Sequence, residues 1–344
     1  MAIRLTDLLE RIPVEVRDDV RRTLAKNRSI VQEALRTECR LVMRTAEEAD
    51  ENKPGGHVPV EIATGCPTVL KTVTFPDEYE VILLLGRFRN ALEQSRDGVK
   101  GLLQLREFLA RRPSLSQWVG VDEEKLQSTA SWATTLLELL DKHDPLKKVL
   151  SVDEDILGVY EYHTRKRDRH ADYSLGLLAA DSRNGHADEK EVNRATIRLY
   201  WGVIGLVSEW MGCTVEDLTV VVLTHELAHA YTQLGADIEG RRWPASAFAA
   251  AESGLKEGLA QYYTDRVLRK LERRFGGALK VYEAMLPGQP EAYRTHQNWV
   301  RDYSPEAIRR AMLEVRRWGE RNLADFNRRL EDAMKQLEPE DTNS

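Results

Sequence analysis

The stretch VEDLTVVVLTHELAHAYTQLG, residues 215–235, constrains this chain more than any other. Glu216 and Asp217 stand where the first turn of a helix favours acidic side chains, and Gly235 stands where a helix stops. Between them TVVVL gives the helix a buried start, and two histidines follow four positions apart. The whole stretch reads as one helix. On it His225 and His229 lie about 40° apart around the axis and one turn along it, so both imidazoles reach one ion. Glu226 lies about 100° further round, beside such an ion without ligating it. That is the content of H-E-x-x-H: two nitrogen ligands and a general base on one turn. The competing reading is two hydrogen-bonded histidines on a core helix. A glutamate between two core histidines at this spacing is an uncommon structural solution, so the metal reading is preferred.

A catalytic zinc wants three protein ligands and one open position. ESGLKEGLAQYYT, residues 252–264, offers Glu257 on a second long helix, with small neighbours Gly258 and Ala260 that permit close helix approach. Glu252 on the same helix and Asp237 beyond the helix stop are its competitors.

The rest of the chain suits a folded host for such a site. Of 344 residues, 42% are apolar and 31% charged, enough for a core and a solvated surface. The net charge of -6 and the interleaving of Arg with Glu and Asp give no dense basic footprint, so no nucleic-acid partner is expected. No apolar run approaches the roughly 20 residues that span a bilayer, so no membrane role is expected. The start MAIRLTDLLERIPVEV has no long apolar region and no small-residue cleavage site, so no secretory signal is expected. Cys39, Cys66 and Cys213 are odd in number and far apart. They read as reduced thiols in a cytoplasmic protein.

The chain shows no internal repeat. Residues 5–50, 78–112 and 122–142 carry helical spacing of apolar positions, ENKPGGHVP (51–59) is a loop, and 60–75 reads as extended in short stretches. Near residue 150 the character changes. ILGVYEYH (156–163), ADYSLGLLA (171–179) and ATIRLYWGVI (195–204) read as strands, with the turn DSRNGHADEK before the third. Helices are expected at 215–235, 248–274 and 305–337, with a frayed tail EPEDTNS. The fold class is therefore α+β and mostly helical, with a small sheet ahead of two long helices. The expected division is a helical region over 1–150, regulatory or partner-binding, and a catalytic domain over 151–344.

HELAH followed by EGLAQYYT resembles the gluzincin branch of zinc metallopeptidases, the thermolysin-like clan. The resemblance covers roughly residues 150–300, its two motifs alone are specific, and it picks out no family within the clan. It implies a zincin-like domain with its sheet packed on the motif helix, Zn2+ on His225, His229 and Glu257, and Glu226 as general base. It also implies an edge strand upstream of the motif helix to which extended substrate adds, for which ATIRLYW is the natural candidate. An oxyanion donor commonly reaches in from beyond the second helix, which points to Tyr293 and His296 in AYRTHQNW (292–299). Tyr262 and Tyr263 are expected to pack elsewhere, and His163, His170 and His186 are given no role. One departure stands out. Clan members support a zinc-bound histidine with an Asp four positions after the ligand Glu, and here Gln261 stands there. A metzincin site is excluded, because Gly235 occupies the place of its third ligand.

The expected function is hydrolysis of peptide bonds in a peptide or protein substrate by water that zinc and Glu226 activate. The alternative is a zinc-binding regulatory or interaction module with little turnover, to which the N-terminal helical region lends a docking role.

Overall fold

A computed structural model describes residues 2–44, 58–76, 79–86, 89–110, 123–152, 154–166 and 190–337. The expected strand at 171–179, the turn after it, His170, His186, most of the 51–59 loop and the C-terminal tail lie outside these residues. The described chain is mostly helical with a small sheet, an α+β protein. None of its helices is long and apolar enough to cross a membrane.

The chain folds into two compact units. The first comprises residues 1–8 and 68–151. Here β1 (Ile3–Arg4) pairs antiparallel with β3 (Thr74–Phe75), and the short α1 (Leu5–Leu9) follows β1. Then come α3 (Tyr79–Gly86), α4 (Arg89–Ala110), α5 (Glu123–His143) and α6 (Pro145–Leu150). Ile82, Leu92, Leu137 and Leu140 form a common core between α3, α4 and α5. Helix α6 starts where Asp144 accepts from the backbone N–H groups of Leu146 and Lys147, with Pro145 supplying a first-turn residue that needs no donor.

The second unit comprises residues 9–67 and 152–344. Its sheet has the order β2 (Val60–Ala63), β5 (Lys190–Tyr200), β4 (Gly158–Lys166), with β2 parallel and β4 antiparallel to β5. Helix α2 (Glu15–Cys39) packs along the motif helix, α8 (Val215–Leu234), which follows α7 (Trp201–Met211). After α9 (Ala245–Ala249) comes α10 (Ser253–Lys270), packed on both α8 and α2. Helices α11 (Glu272–Met285), α12 (Glu291–Arg294), α13 (His296–Asp302), α14 (Pro305–Trp318) and α15 (Leu323–Leu337) complete it. The expected 1–150 region is therefore split: residues 9–67 belong with the part that carries the motif, because α2 and β2 pack or pair with it.

Helix α8 forms as its sequence dictates. The Thr214 side chain accepts from the Asp217 N–H and caps its start, and the Gly235 N–H closes its end on the Tyr231 carbonyl. Every residue from Leu218 to Leu234 is buried, which is why an apolar stripe is not apparent in its sequence. At Gly235 a Cβ would lie 2.6 Å from the Tyr231 oxygen and 2.7 Å from Leu41 Cβ, so only glycine lets the chain leave here.

Several expectations change. The apolar run at 195–204 is strand only to Tyr200, and from Trp201 it is helix α7. Nearly every α7 residue is buried, so the run carries no periodicity to separate a buried helix from a buried strand. Consequently the ATIRLY part of that stretch lies on β5, the middle strand, and among the described residues the edge strands are β2 and β4. The expected helix at 248–274 is broken into α9, α10 and the start of α11, and that at 305–337 is broken at Gly319, which has φ 63°.

Gly258 owes its small size to Trp299 rather than to α8. A Cβ there would meet the Trp299 ring at 2.5 Å, and that ring is buried against Phe326 with centroids 4.5 Å apart. Gly258→Ala should therefore destabilise the protein by about 1–3 kcal/mol. Gly101→Ala, in α4 with nothing within 4 Å of the new methyl, should be neutral or stabilising by up to about 1 kcal/mol. Urea unfolding of both variants reads this; equal stability of Gly258→Ala and the parent would contradict the packing described.

Candidate metal centre

Helix α8 brings His225 and His229 to one face with ring centroids 4.7 Å apart and planes nearly perpendicular. Their Nε2 atoms lie 3.1 Å from each other. Glu257, on α10, aims Oε2 between them, 3.4 Å from His225 Nε2 and 3.1 Å from His229 Nε2. The two expected histidines and the expected third ligand thus converge.

A fourth group, Asp155, joins them. It stands just ahead of β4, with Oδ1 3.5 Å from His225 Nε2 and Oδ2 3.9 Å from His229 Nε2. One donor atom from each of Asp155, His225, His229 and Glu257 lies within 4.8 Å of all the others. Four donors placed tetrahedrally at 2.0–2.2 Å from an ion are about 3.3–3.6 Å apart. The histidine and Glu257 separations of 3.1–3.4 Å are near that spacing and Asp155 stands somewhat further off, at 3.5 and 3.9 Å through different oxygens, so the four groups are placed where they could hold a metal ion.

The electrostatics fit a cation as well. Burial alone would depress the pKa of His225, but hydrogen bonds with Asp155 and Glu257 and the charge of Asp155 and Glu226 outweigh it and raise it well above the usual value. Burial likewise works against ionised Glu257, but the charge of His229 and hydrogen bonds with both histidines hold its carboxyl far below the usual range. The anionic cluster thus draws in positive charge, and protons and a metal compete for the same atoms.

Glu226 lies beside these donors and is 1% exposed. Its side chain packs against β4: a Cβ on Gly158 would come within 2.9 Å of Glu226 Cγ and Oε1. Only glycine allows the strand so close. Burial, followed by the charge of Asp155, pushes the Glu226 carboxyl well above its ordinary value, opposed by the charge of His225 and then by a backbone hydrogen bond from Tyr160. Oε2 of Glu226 is buried without a hydrogen-bond partner among the described residues. A divalent cation nearby would favour the ionised carboxylate, the form that can accept a proton.

Tyr293 reaches this site and His296 does not. The Tyr293 ring stacks on His225 at 5.8 Å between centroids, and its O–H donates to Asp155 Oδ1 at 2.8 Å. Burial, with the negative charge of Asp155 next, raises the Tyr293 pKa well above normal, so the phenol keeps its proton. His296 instead uses both ring nitrogens for packing: Nδ1 lies 3.0 Å from the Tyr293 carbonyl oxygen and Nε2 2.9 Å from the Tyr282 hydroxyl. Burial pushes its pKa down to about 4.

The competitors for the third ligand are engaged elsewhere. Glu252 Oε2 accepts from the Leu323 N–H, and Asp237 Oδ1 accepts from the Glu239 and Arg241 N–H groups in a turn. Tyr263 donates to the Met312 sulfur, away from the cluster, as expected of its place on the helix. Gln261 turns its amide nitrogen to Gln289, at 3.4 Å. Its Oε1 and His225 Nδ1 are both buried without hydrogen-bond partners among the described residues, so the support an Asp would give at 261 is not made.

Two outcomes follow. Glu257→Ala should weaken metal binding by at least about 10- to 100-fold, while Glu252→Ala and Asp237→Ala leave it unchanged, as measured by chelator competition. Equal retention by all three would contradict the ligand set. For His296 the unfolded chain, with a pKa near 6.5, binds more protons than the folded one between about pH 4 and 6.5. Its contribution to stability is therefore full above that window and lost as pH falls through it, by at most about 1.4 kcal/mol per pH unit. His296→Asn should flatten stability against pH across that window; an unchanged slope in chemical denaturation would contradict a neutral, buried His296.

No family model matches the chain, and no curated protein or solved structure is detectably similar to it, so the reading of this site rests on its own residues.

Proposed function

We propose that this chain is a metal-dependent peptidase of gluzincin type, with zinc as its ion and Glu226 as its general base. The observation that carries the proposal is the convergence of His225, His229 and Glu257 on one point with the Glu226 carboxylate buried beside it. A site that only stored a metal has no use for that further acidic group. Zinc bound there would polarise a peptide carbonyl and acidify water. Glu226 takes the proton of the attacking water and returns it to the leaving amine. Tyr293, a protonated phenol over His225, is the group placed to donate to a developing oxyanion. His296 has no part in these steps beyond holding the Tyr293 backbone.

The sheet supports a peptide substrate and a zincin-like arrangement. The Leu157 carbonyl accepts from the Tyr200 N–H, so along β4 the alternate residues Gly158 and Tyr160 turn their backbone groups away from β5. That edge runs beside Glu226, which takes the Tyr160 N–H, so an extended peptide adding there would pair through the backbone groups of Gly158 and the Tyr160 carbonyl. None of the three cysteines is in a disulfide, which agrees with a reducing, cytoplasmic setting. The described residues of 1–8 and 68–151 hold none of the converging groups, which supports a regulatory or partner-binding task for that unit.

One observation favours the second reading, a metal-holding module without turnover: Asp155 supplies a fourth protein donor, and structural zinc sites are closed. Glu226→Gln separates the two. On the peptidase reading it keeps one metal per chain and the parental circular dichroism, yet hydrolyses labelled casein at least about a hundredfold more slowly. Equal hydrolysis by the variant and the parent would remove Glu226 from the mechanism, and no hydrolysis by either, with or without the added substitution Asp155→Asn, would favour the module.

A further inference from the structure

Asp155 carries no sequence signature, and its position is at odds with an always-open catalytic site. A catalytic zinc keeps one coordination position for water or substrate. The three groups on α8 and α10 define three corners of a tetrahedron with edges of 3.1, 3.1 and 3.4 Å. Asp155 stands beside two of those corners, with Oδ1 3.5 Å from His225 Nε2 and Oδ2 3.9 Å from His229 Nε2, and one of its oxygens lies within 4.8 Å of all three donors, so it is the group at hand for a fourth position. We propose that Asp155 closes the metal site as a fourth, displaceable ligand, so that the resting chain is latent and opens when Asp155 withdraws. This inference rests on the metal-site reading above.

Three features make Asp155 the displaceable member. The other donors sit on long, buried helices, whereas Asp155 precedes a strand in irregular backbone. Its side chain is 20% exposed, against 9% or less for the histidines and 12% for Glu257. Its position is also held from outside the ligand set, by the Tyr293 hydroxyl at 2.8 Å. That hydrogen bond ties the two events together. While Asp155 is in place, the Tyr293 proton is committed to it; when Asp155 leaves, the same O–H is released at the site. Opening the fourth position and freeing the oxyanion donor are then one motion.

The test uses the full chain loaded with Co2+ as a visible stand-in for zinc, with acetohydroxamate as the competing ligand. The parent should show a four-coordinate absorption spectrum that millimolar acetohydroxamate leaves unchanged. Asp155→Asn, similar in size and still an acceptor for Tyr293, and Asp155→Ala should both retain Co2+, shift its spectrum and bind acetohydroxamate at least about tenfold more tightly. Tyr293→Phe, which leaves Asp155 intact but untethered, should fall between them; it also serves if Asp155→Ala does not fold. Identical spectra and acetohydroxamate affinities in the parent and both Asp155 variants would overturn the inference. So would loss of Co2+ from both variants, because Asp155 would then be an obligate ligand rather than a displaceable one. Casein hydrolysis by the same proteins is read separately. If no variant hydrolyses casein while the spectra behave as stated, the peptidase reading fails and the closure stands.

Discussion

A helix buried on every side cannot carry two imidazoles and a carboxylate without compensation, and helix α8 does carry them. Ionisable groups removed from water must be paired, neutralised or bound to a cation. Much of the second unit can be understood as the answer to that constraint. Helix α10 sets Glu257 against both histidines, the residues ahead of β4 bring Asp155, and α12 brings the Tyr293 hydroxyl. Three buried or half-buried carboxylates around two imidazoles are poorly tolerated alone. A divalent cation at their centre would neutralise both coordinating carboxylates and resolve the problem in one step.

The same constraint explains where the backbone comes unusually close. Gly158 admits β4 to van der Waals contact with Glu226, and Gly258 admits the Trp299 ring to α10 beside Glu257. Both glycines adjoin the cluster, and both remove a side chain where a functional group or its support must fit. His296 belongs to that support. Buried and neutral, it links the Tyr293 carbonyl to the Tyr282 hydroxyl and so fixes the backbone from which Tyr293 reaches the site.

What the sequence could disclose follows from how local each signal is. His225, Glu226 and His229 share one helical turn, and Glu257 sits in a distinctive run on another long helix, so spacing alone brings them into view. Asp155 lies 70 positions before His225 in irregular backbone, where neither periodicity nor a motif marks it out. Only the pairing of β4 with β5 and the packing of β4 on α8 carry it to the histidines. The assignment of residues 9–67 to the second unit is non-local in the same way, resting on the parallel pairing of β2 with β5 and on α2 against α8. The strand-to-helix switch at Tyr200 and Trp201 is hidden for the opposite reason: both sides of it are largely buried, and from Leu199 to Ile204 the run is apolar throughout and has no period. His296 and Tyr293, three positions apart in one segment, cannot be ranked without knowing which way the short helices α12 and α13 turn.

The central claim is that one divalent metal ion binds where the four side chains meet. Anomalous diffraction at the zinc absorption edge, from crystals of protein purified without a histidine tag and soaked in zinc, tests it most directly. The account predicts one strong peak per chain, about 2.0–2.2 Å from His225 Nε2, His229 Nε2 and a carboxylate oxygen of Glu257. A site empty of anomalous signal between those three residues, with zinc bound only elsewhere or not at all, would contradict it.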